Sequence, residues 1–338
     1  MYNKNVFRNP DSVCFSQRKG RVMKNMKIAN LVVVFGFLAG ALLSVVRGEI
    51  VYWTGGSGAW TDASRWTNAF GMNKVPDEGD DVVVGSGTVL LSSATAELSS
   101  FTMTGGQVVF SNWTTRLQAD VVHIASTNAV LTLPPAFNNV PGDPSNRIHV
   151  VCQNLTFNGQ IQANGRGFRS TQGPGAGGNG SVNQSAGGGG HGGRGGAGNA
   201  RGGVTNDWAH IPMAPGSGGG TGHNGMAAGG DGGGVVIIEA SGVVTINNLI
   251  DASGANSAAA KYPGGGGAGG TIFITANVLS GSSNGLLRAR GGNSGPSAIS
   301  SAGGGGGGRI ALQYNLVSNA NFRFDVAGGT ESVARAAG

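Results

Sequence analysis

Glycine is not spread through this chain but gathered into blocks, and each block stops where a run of β-branched and apolar residues starts. Gly229–Gly234, interrupted by Asp231, leads into Val235-Val-Ile-Ile-Glu. Gly264–Gly270, interrupted by Ala268, leads into Thr271-Ile-Phe-Ile-Thr, and Gly303–Gly308 into Arg309-Ile-Ala-Leu-Gln. The three runs begin 36 and 38 residues apart, and a fourth, Ile148-His-Val-Val-Cys, precedes them by 87. A second short strand with a small-polar-glycine turn follows the runs at 148, 235 and 271, at Gly159–Gly165, Leu249–Gly254 and Leu286–Gly291. Strand pairs at a fixed period cannot bury a face alone but can stack on identical neighbours. The glycines never settle into a third-residue repeat, which excludes collagen. They number 66 of 338 residues, and charged residues are only 11%, against roughly 25% in ordinary domains. A compact, charge-covered enzyme domain does not have this composition.

The remaining body reads as strand throughout. Val82–Val84, Thr88–Leu91, Gln107–Phe110, Val121–Ile124 and Val130–Leu133 are short apolar runs punctuated by Gly, Asn, Asp or Pro, the pattern of short strands. No stretch after residue 48 sustains a capped helical period. The expected fold is all-β, a parallel β-helix (β-solenoid) with long Gly-rich inserts. Its expected segments are a leader (1–48), an N-terminal β region with a Trp-rich cap (49–147) and a Gly-rich repeat region (148–338). The chain's end, after a strand at Asn321–Val326, reads as truncated. Ile272, Ile274, Ile310 and Leu312 are expected in the core, with Ile237 aligned beside them. The glycine blocks have two readings. They are disordered loops, because glycine has the most freedom to lose, or extended polyproline-like segments whose bare backbones approach closely.

The formal net charge of +6 belongs to the leader. Residues 1–48 hold eight Lys or Arg against Asp11, leaving fourteen basic and fifteen acidic residues in the rest. A near-neutral body has no footprint for nucleic acid. Lys24 and Lys27 precede an apolar run from Ile28 to Val46, and Val46-Arg47-Gly48 forms a small-residue site before Glu49. Met23 is an alternative start. Charged, apolar and small regions in that order describe a secretory signal; left uncut, residues 28–46 form a membrane anchor. Cys152 is the one cysteine beyond the leader, so no disulfide staples the exported part, and a buried structural thiol is expected.

Candidate chemistry is sparse, and no catalytic or cofactor-binding residue is assigned. Trp53, Trp60 and Trp66 suit either a glycan-stacking platform or a cap over the first strands. Asp77, Asp80 and Asp81, with Glu78, offer oxygens for a Ca²⁺ ion, yet Pro76-Asp-Glu-Gly79 is also a turn sequence. His191, His210 and His223 lie with Asp207 and Trp208 in the first insert; their irregular spacing favours exposed loop histidines over zinc ligands. Gly173-Pro-Gly-Ala-Gly-Gly178 matches a dinucleotide fingerprint, but no helix follows it to hold a phosphate. Arg194-Gly-Gly and Arg201-Gly-Gly are too few to read as an RNA-binding tract. Asp231, Glu239 and Asp251 become a hydrolytic pair only if the fold brings them together.

Trp53-Thr-Gly-Gly-Ser-Gly-Ala-Trp60-Thr-Asp-Ala-Ser-Arg-Trp66 and Val75-Pro-Asp-Glu-Gly-Asp-Asp81 resemble the opening of secreted bacterial Gly-rich parallel β-helix surface proteins of the autotransporter-passenger kind. The chain lacks the C-terminal translocator barrel of that family. The resemblance implies a right-handed β-helix at the cell surface and carries over no catalytic residue. The expected function is therefore a non-enzymatic, secreted or surface-displayed structural or adhesive solenoid that meets extracellular glycans or other surface proteins. A carbohydrate-active β-helix, lyase or hydrolase, is the first alternative; acids and an Arg gathered in one groove would mark it. A Gly-rich wall or ice-binding protein is the second, marked by flat arrays of Thr or ordered Gly helices.

N-terminal sequencing of protein recovered outside the cell is expected to begin at Glu49; if the leader is retained, the chain stays in the membrane fraction through residues 28–46. Intact full-length chain, soluble in the cytoplasm of its native host, would contradict export.

Overall fold

The computed structural model describes residues 13–17, 48–138, 146–207 and 210–332. The strands of the first half are β1 (Val13–Gln17), β2 (Ile50–Trp53), β3 (Ser57–Ala59), β4 (Trp66–Asn68), β5 (Asp81–Val84), β6 (Thr88–Leu91), β7 (Leu98–Met103), β8 (Gly106–Phe110), β9 (Leu117–Ile124) and β10 (Ala129–Thr132). Those of the second half are β11 (Arg147–Phe157), β12 (Gln160–Gln162), β13 (Val235–Ala240), β14 (Val243–Ile246), β15 (Leu249–Asp251), β16 (Thr271–Gly281), β17 (Leu286–Arg288), β18 (Arg309–Ala320) and β19 (Arg323–Asp325). Among the described residues the one helical turn is a 3₁₀ turn at Ala63–Arg65, and no helix is long and apolar enough to cross a membrane. The leader's apolar run, 28–46, lies outside the described residues.

From β5 onward the chain alternates between two sheets, except that β13 and β14 follow each other in the first sheet and together fill one layer between β11 and β16. The first has the order β1-β18-β16-β13-β11-β9-β7-β5-β2-β4, with β14 between β11 and β16. The second has the order β19-β17-β15-β12-β10-β8-β6-β3. Each trip adds one strand to each sheet in the same direction, so the pairings are parallel; the exception is β2 with β4, which is antiparallel. The fold is all-β with parallel sheets. Residues 13–17, inside the segment expected to be a leader, supply β1, whose backbone pairs with Ile310–Tyr314 of β18.

The core lies between the sheets. Val82, Phe101, Val122, Ile148, Val236, Ile272 and Ile310 project inward from the first sheet, opposite Val89, Val108, Leu131, Ile161, Ile250 and Leu287 of the second. Register sets Ile148, Val236, Ile272 and Ile310 in one row, with Val150, Ile238, Ile274 and Leu312 two residues on. Full burial of each such side chain stabilises by about 1.5–3 kcal/mol.

Ile237 is not in that row. It pairs with His149 and Phe273 and joins Val235, Phe273 and Ala311 in a second apolar cluster on the opposite face. Alternation cannot orient a strand that is apolar on both faces, and Val235–Ile238 is buried at every position.

The glycine blocks are ordered, and their order comes from one another. In the segment 264–270, Gly265 and Ala268 N–H donate to Gly220 and Ser217, Gly266 and Gly269 to Gly303 and Gly306, and Gly267 and Gly270 to Ala255 and Ala252. The direction recurs every third residue, which is the periodicity of an extended polyproline II-type chain. Its carbonyls at Gly265, Gly266 and Gly267 accept from Gly230, Gly189 and Gly292. One segment is thus enclosed by six others. None of the glycines in 187–190, 264–270 or 303–308 has a left-handed backbone. They are glycine because a Cβ on Gly265, Gly266 or Gly305 would land on the carbonyl oxygen of Gly187, Gly292 or Gly267.

Gly305→Ala combined with Gly306→Ala is expected to destabilise the protein by at least about 2 kcal/mol, because both Cβ atoms need a neighbouring backbone to move. Urea unfolding with amide exchange checks it: an unchanged midpoint with fast exchange through 303–308 would remove the bundle and leave only the sheets.

Candidate functional site

The outer face of the first sheet is covered unevenly. Over β16 and β18 the insert crosses it: Thr271 Oγ1 donates to Ala214 O (2.7 Å), and the Arg309 guanidinium donates to Asn206 O (3.0 and 3.2 Å). Over β7, β9 and β11 the face is open, and the polar residues gather there.

Three layers build this region. β11 carries Arg147, His149 and Val151 on the outer face, as alternate residues of one strand must. β13 places Glu239 opposite Val151, and β9 places Gln118 there on the other side. The turn before β9 adds Trp113 and Arg116. It is pinned by Asn112 N–H donating to Asn146 Oδ1 (2.8 Å), with Asn112 itself at φ 84°. Thr95 stitches the next layer on: its N–H donates to Arg116 O (2.9 Å) and its Oγ1 accepts from Gln118 N–H (2.9 Å). That brings Glu97 beside Arg116. Glu97, Arg116, Gln118, Asp120, Cys152 and Ser241 line an open cleft of about 360 Å³.

His149, two residues before Val151 on the same face of β11, is only 5% exposed. Its Nε2 stands 3.3 Å from Glu239 Oε1 without the alignment of a hydrogen bond, so both ring nitrogens are unpaired among the described residues. Burial first, then the Arg147 charge, pushes its pKa down to about 4, against the pull of Glu239. The ring is neutral at pH 7. Arg147 lies over the Trp113 ring, 5.0 Å from its centroid, a cation–π contact. Cys152 is a free, buried thiol pushed up to about 12 by burial, so it is no nucleophile at neutral pH. Carboxylates that accept, a guanidinium that donates and an apolar floor suit a polyhydroxylated ligand better than a compact ion.

The residues singled out in the sequence lie elsewhere. Trp53, Trp60 and Trp66 are 6%, 4% and 0% exposed; Trp66 packs edge-on against both, with centroids 4.9 and 4.8 Å away. They fill the end of the core at the first layer, leaving no ring face for a sugar. Asp80 is buried, accepting from Glu49 N–H (2.8 Å), Asp77 N–H (2.8 Å) and Lys74 Nζ (2.9 Å). It closes the turn at 76–80, while Asp77 is exposed and Asp81 belongs to β5. No three His, Cys, Asp or Glu among the described residues are grouped to hold a metal ion.

His191 is not an exposed loop residue. It is fully buried in the glycine bundle, its Nδ1 donating to Gly269 O (2.9 Å) and its Nε2 lying 3.5 Å from Asp207 Oδ2. His210 is exposed, His223 stacks on Tyr262, and Trp208 lies outside the described residues. Asp231, Glu239 and Asp251 do not converge: Asp231 accepts from Ser170 N–H in the bundle, and Asp251 pairs with Arg288 on the second sheet (2.6 Å). Reading the sequence missed Glu97, Trp113, Arg116, Asp120 and His149. Only the alternate spacing of Arg147 and His149 hinted at a shared face.

No family model, curated protein or solved structure matches this chain.

His149 makes stability depend on pH. Its folded pKa of about 4 lies below the ordinary 6.5, so the unfolded chain binds the extra proton between those values. The stabilisation is complete above about pH 6.5 and is lost as pH falls toward 4, at up to about 1.4 kcal/mol per pH unit. Urea unfolding at pH 7 and pH 5 is expected to show a smaller loss for His149→Gln than for the parent; equal losses would place the ring in water.

Proposed function

We propose that the chain is a parallel β-helix solenoid flanked by a polyglycine bundle, and that it serves as a non-enzymatic structural or adhesive element outside the cell. The observation that carries this reading is the bundle, whose ordered glycine segments fit the Gly-rich wall or ice-binding alternative equally. Its segments meet one another through backbone hydrogen bonds on several sides, so the bundle is held without side-chain packing. A near-neutral body after a signal-like leader fits an exported spacer whose surfaces interact weakly except at chosen points. Its partners are glycans or other surface proteins.

A carbohydrate-active role is the second reading. It is favoured by the cleft in which Glu97 and Asp120 stand with Arg116, the grouping of acids and a guanidinium that such chemistry uses.

A glycan array followed by a polysaccharide digest separates the two. The structural reading expects binding that Asp120→Ala weakens about tenfold or more, with no new reducing ends or unsaturated sugars. Product release that Glu97→Gln abolishes would replace it with the enzymatic one.

A further inference from the structure

The cleft on the first sheet is built in strand register. Val151 on β11 stands opposite Gln118 on β9 and Glu239 on β13. Glu97 continues this row, because Leu98 after it pairs with Ala119. Two residues on, a second outward row holds Asp120, Gln153 and Ser241, all exposed. Asp120 lies between Ala119 and Val121, the partners of Cys152 and Asn154, and Ser241 follows Ala240, the partner of Cys152. Between the two rows run Leu98, Ala119, Cys152 and Ala240, all buried. Three of these four are small, whereas the row of Ile148, Val236, Ile272 and Ile310 is bulky. The floor therefore drops between two polar banks.

This groove has two ends. Toward the first layer the turn at 76–80 closes it: Gly79 N–H donates to Glu97 O (2.8 Å), and Ser99 N–H to Asp80 O (3.0 Å). Toward the last layer the row passes to Thr275 and Gln313. There the insert crosses, with Gln313 Nε2 donating to His210 O (3.4 Å). The open stretch covers the four neighbouring strands β7, β9, β11 and β13, a length of about 14 Å at about 4.8 Å per strand.

Polar groups that repeat once per layer suit a polymer whose unit advances by one strand spacing. A linear 1,4-linked pyranose chain has such a step. An extended peptide advances only about 3.3 Å per residue and docks through a free strand edge, and each of these four strands is already paired on both sides. Charge narrows the choice of sugar. Glu97 and Asp120 line the cleft with one guanidinium, Arg116; Glu239 extends the row, and Arg147 is turned onto the Trp113 ring. A polyanion would meet like charge, whereas hydroxyls donate to carboxylates and accept from amide and guanidinium N–H groups.

We infer that the cleft is a four-unit groove for a linear, uncharged polysaccharide that lies along the stack axis, across the strands. This rests on the proposal that the partners include glycans, and adds which kind, in which direction and over what length.

Isothermal titration of the full chain tests it, with linear neutral oligosaccharides of glucose, mannose, xylose and galactose, two to six units long, and with galacturonate oligomers of the same lengths. One neutral series is expected to gain affinity with each unit up to four and then to level off, and the galacturonate tetramer to bind at least about tenfold more weakly than the neutral one. Gln118→Ala removes a bank in mid-groove and should weaken the four-unit ligand about fivefold, while Gln162→Ala, on the second sheet, should leave it unchanged. Melting curves confirm folding; if Gln118→Ala is not folded, Ser241→Ala takes its place with the same expected loss. Affinity that does not rise with length, tighter binding of galacturonate, or a folded groove variant that binds like the parent would overturn the inference and leave the glycan reading standing. Binding to no sugar at all would overturn both.

Discussion

The whole molecule depends on carbonyl oxygens occupying the places where side chains would begin. In the bundle, the oxygen of one glycine segment sits where a Cβ on its neighbour would be, and it accepts that region's N–H groups. Ordering a glycine costs about 0.5–1 kcal/mol more than ordering an alanine. A typical hydrogen bond returns about 0.5–1.5 kcal/mol net. These are comparable, so a lone extended glycine segment would not hold. The segment 264–270 holds because each of its N–H groups from Gly265 to Gly270 has a partner, in three directions. Cooperation among segments replaces the side-chain packing that glycine lacks.

The sheets and the bundle are one construction, because the same chain leaves one and enters the other without a linker. Gly234 precedes β13, Gly270 precedes β16 and Gly308 precedes β18, so the height of each strand in the stack sets the height of its glycine segment. The insert that builds most of the bundle also crosses the outer face of β16 and β18. That second cover is why Val235, Ile237, Phe273 and Ala311 are buried on the side away from the main core. Earlier layers have no such cover. Their outer face is where Glu97, Arg116 and Asp120 are left to line a polar cleft, while on β11 the buried His149 ring, with two unpaired nitrogens among the described residues, is held by its neighbours at some cost.

Legibility followed the range of the interaction. Strand starts at 235, 271 and 309 coincide with the blocks' ends, since glycine and β-branched residues differ locally in what backbone they favour. Ile237 faces away from the expected row because Val235-Val-Ile-Ile is apolar at every position, so period-two alternation carries no information there. His191 was read as exposed because its neighbours are all glycine, a composition that ordinarily means open loop. Its burial comes from segments far along the chain. The cleft is illegible for the same reason: Glu97, Arg116, Cys152 and Ser241 come from four separate stretches and meet only through strand register and the Thr95 hydrogen bonds.

The sequence alone determined the all-β class, the layer period, the strand starts and a near-neutral body behind a basic N-terminal segment, because each follows from local backbone preference and simple charge. Tertiary structure decided which face each strand turns inward, that the glycine blocks are ordered, that His191 is buried, and which acids and bases share a cleft. Those outcomes depend on the neighbour at each backbone carbonyl and each strand edge, and such neighbours lie dozens of residues away.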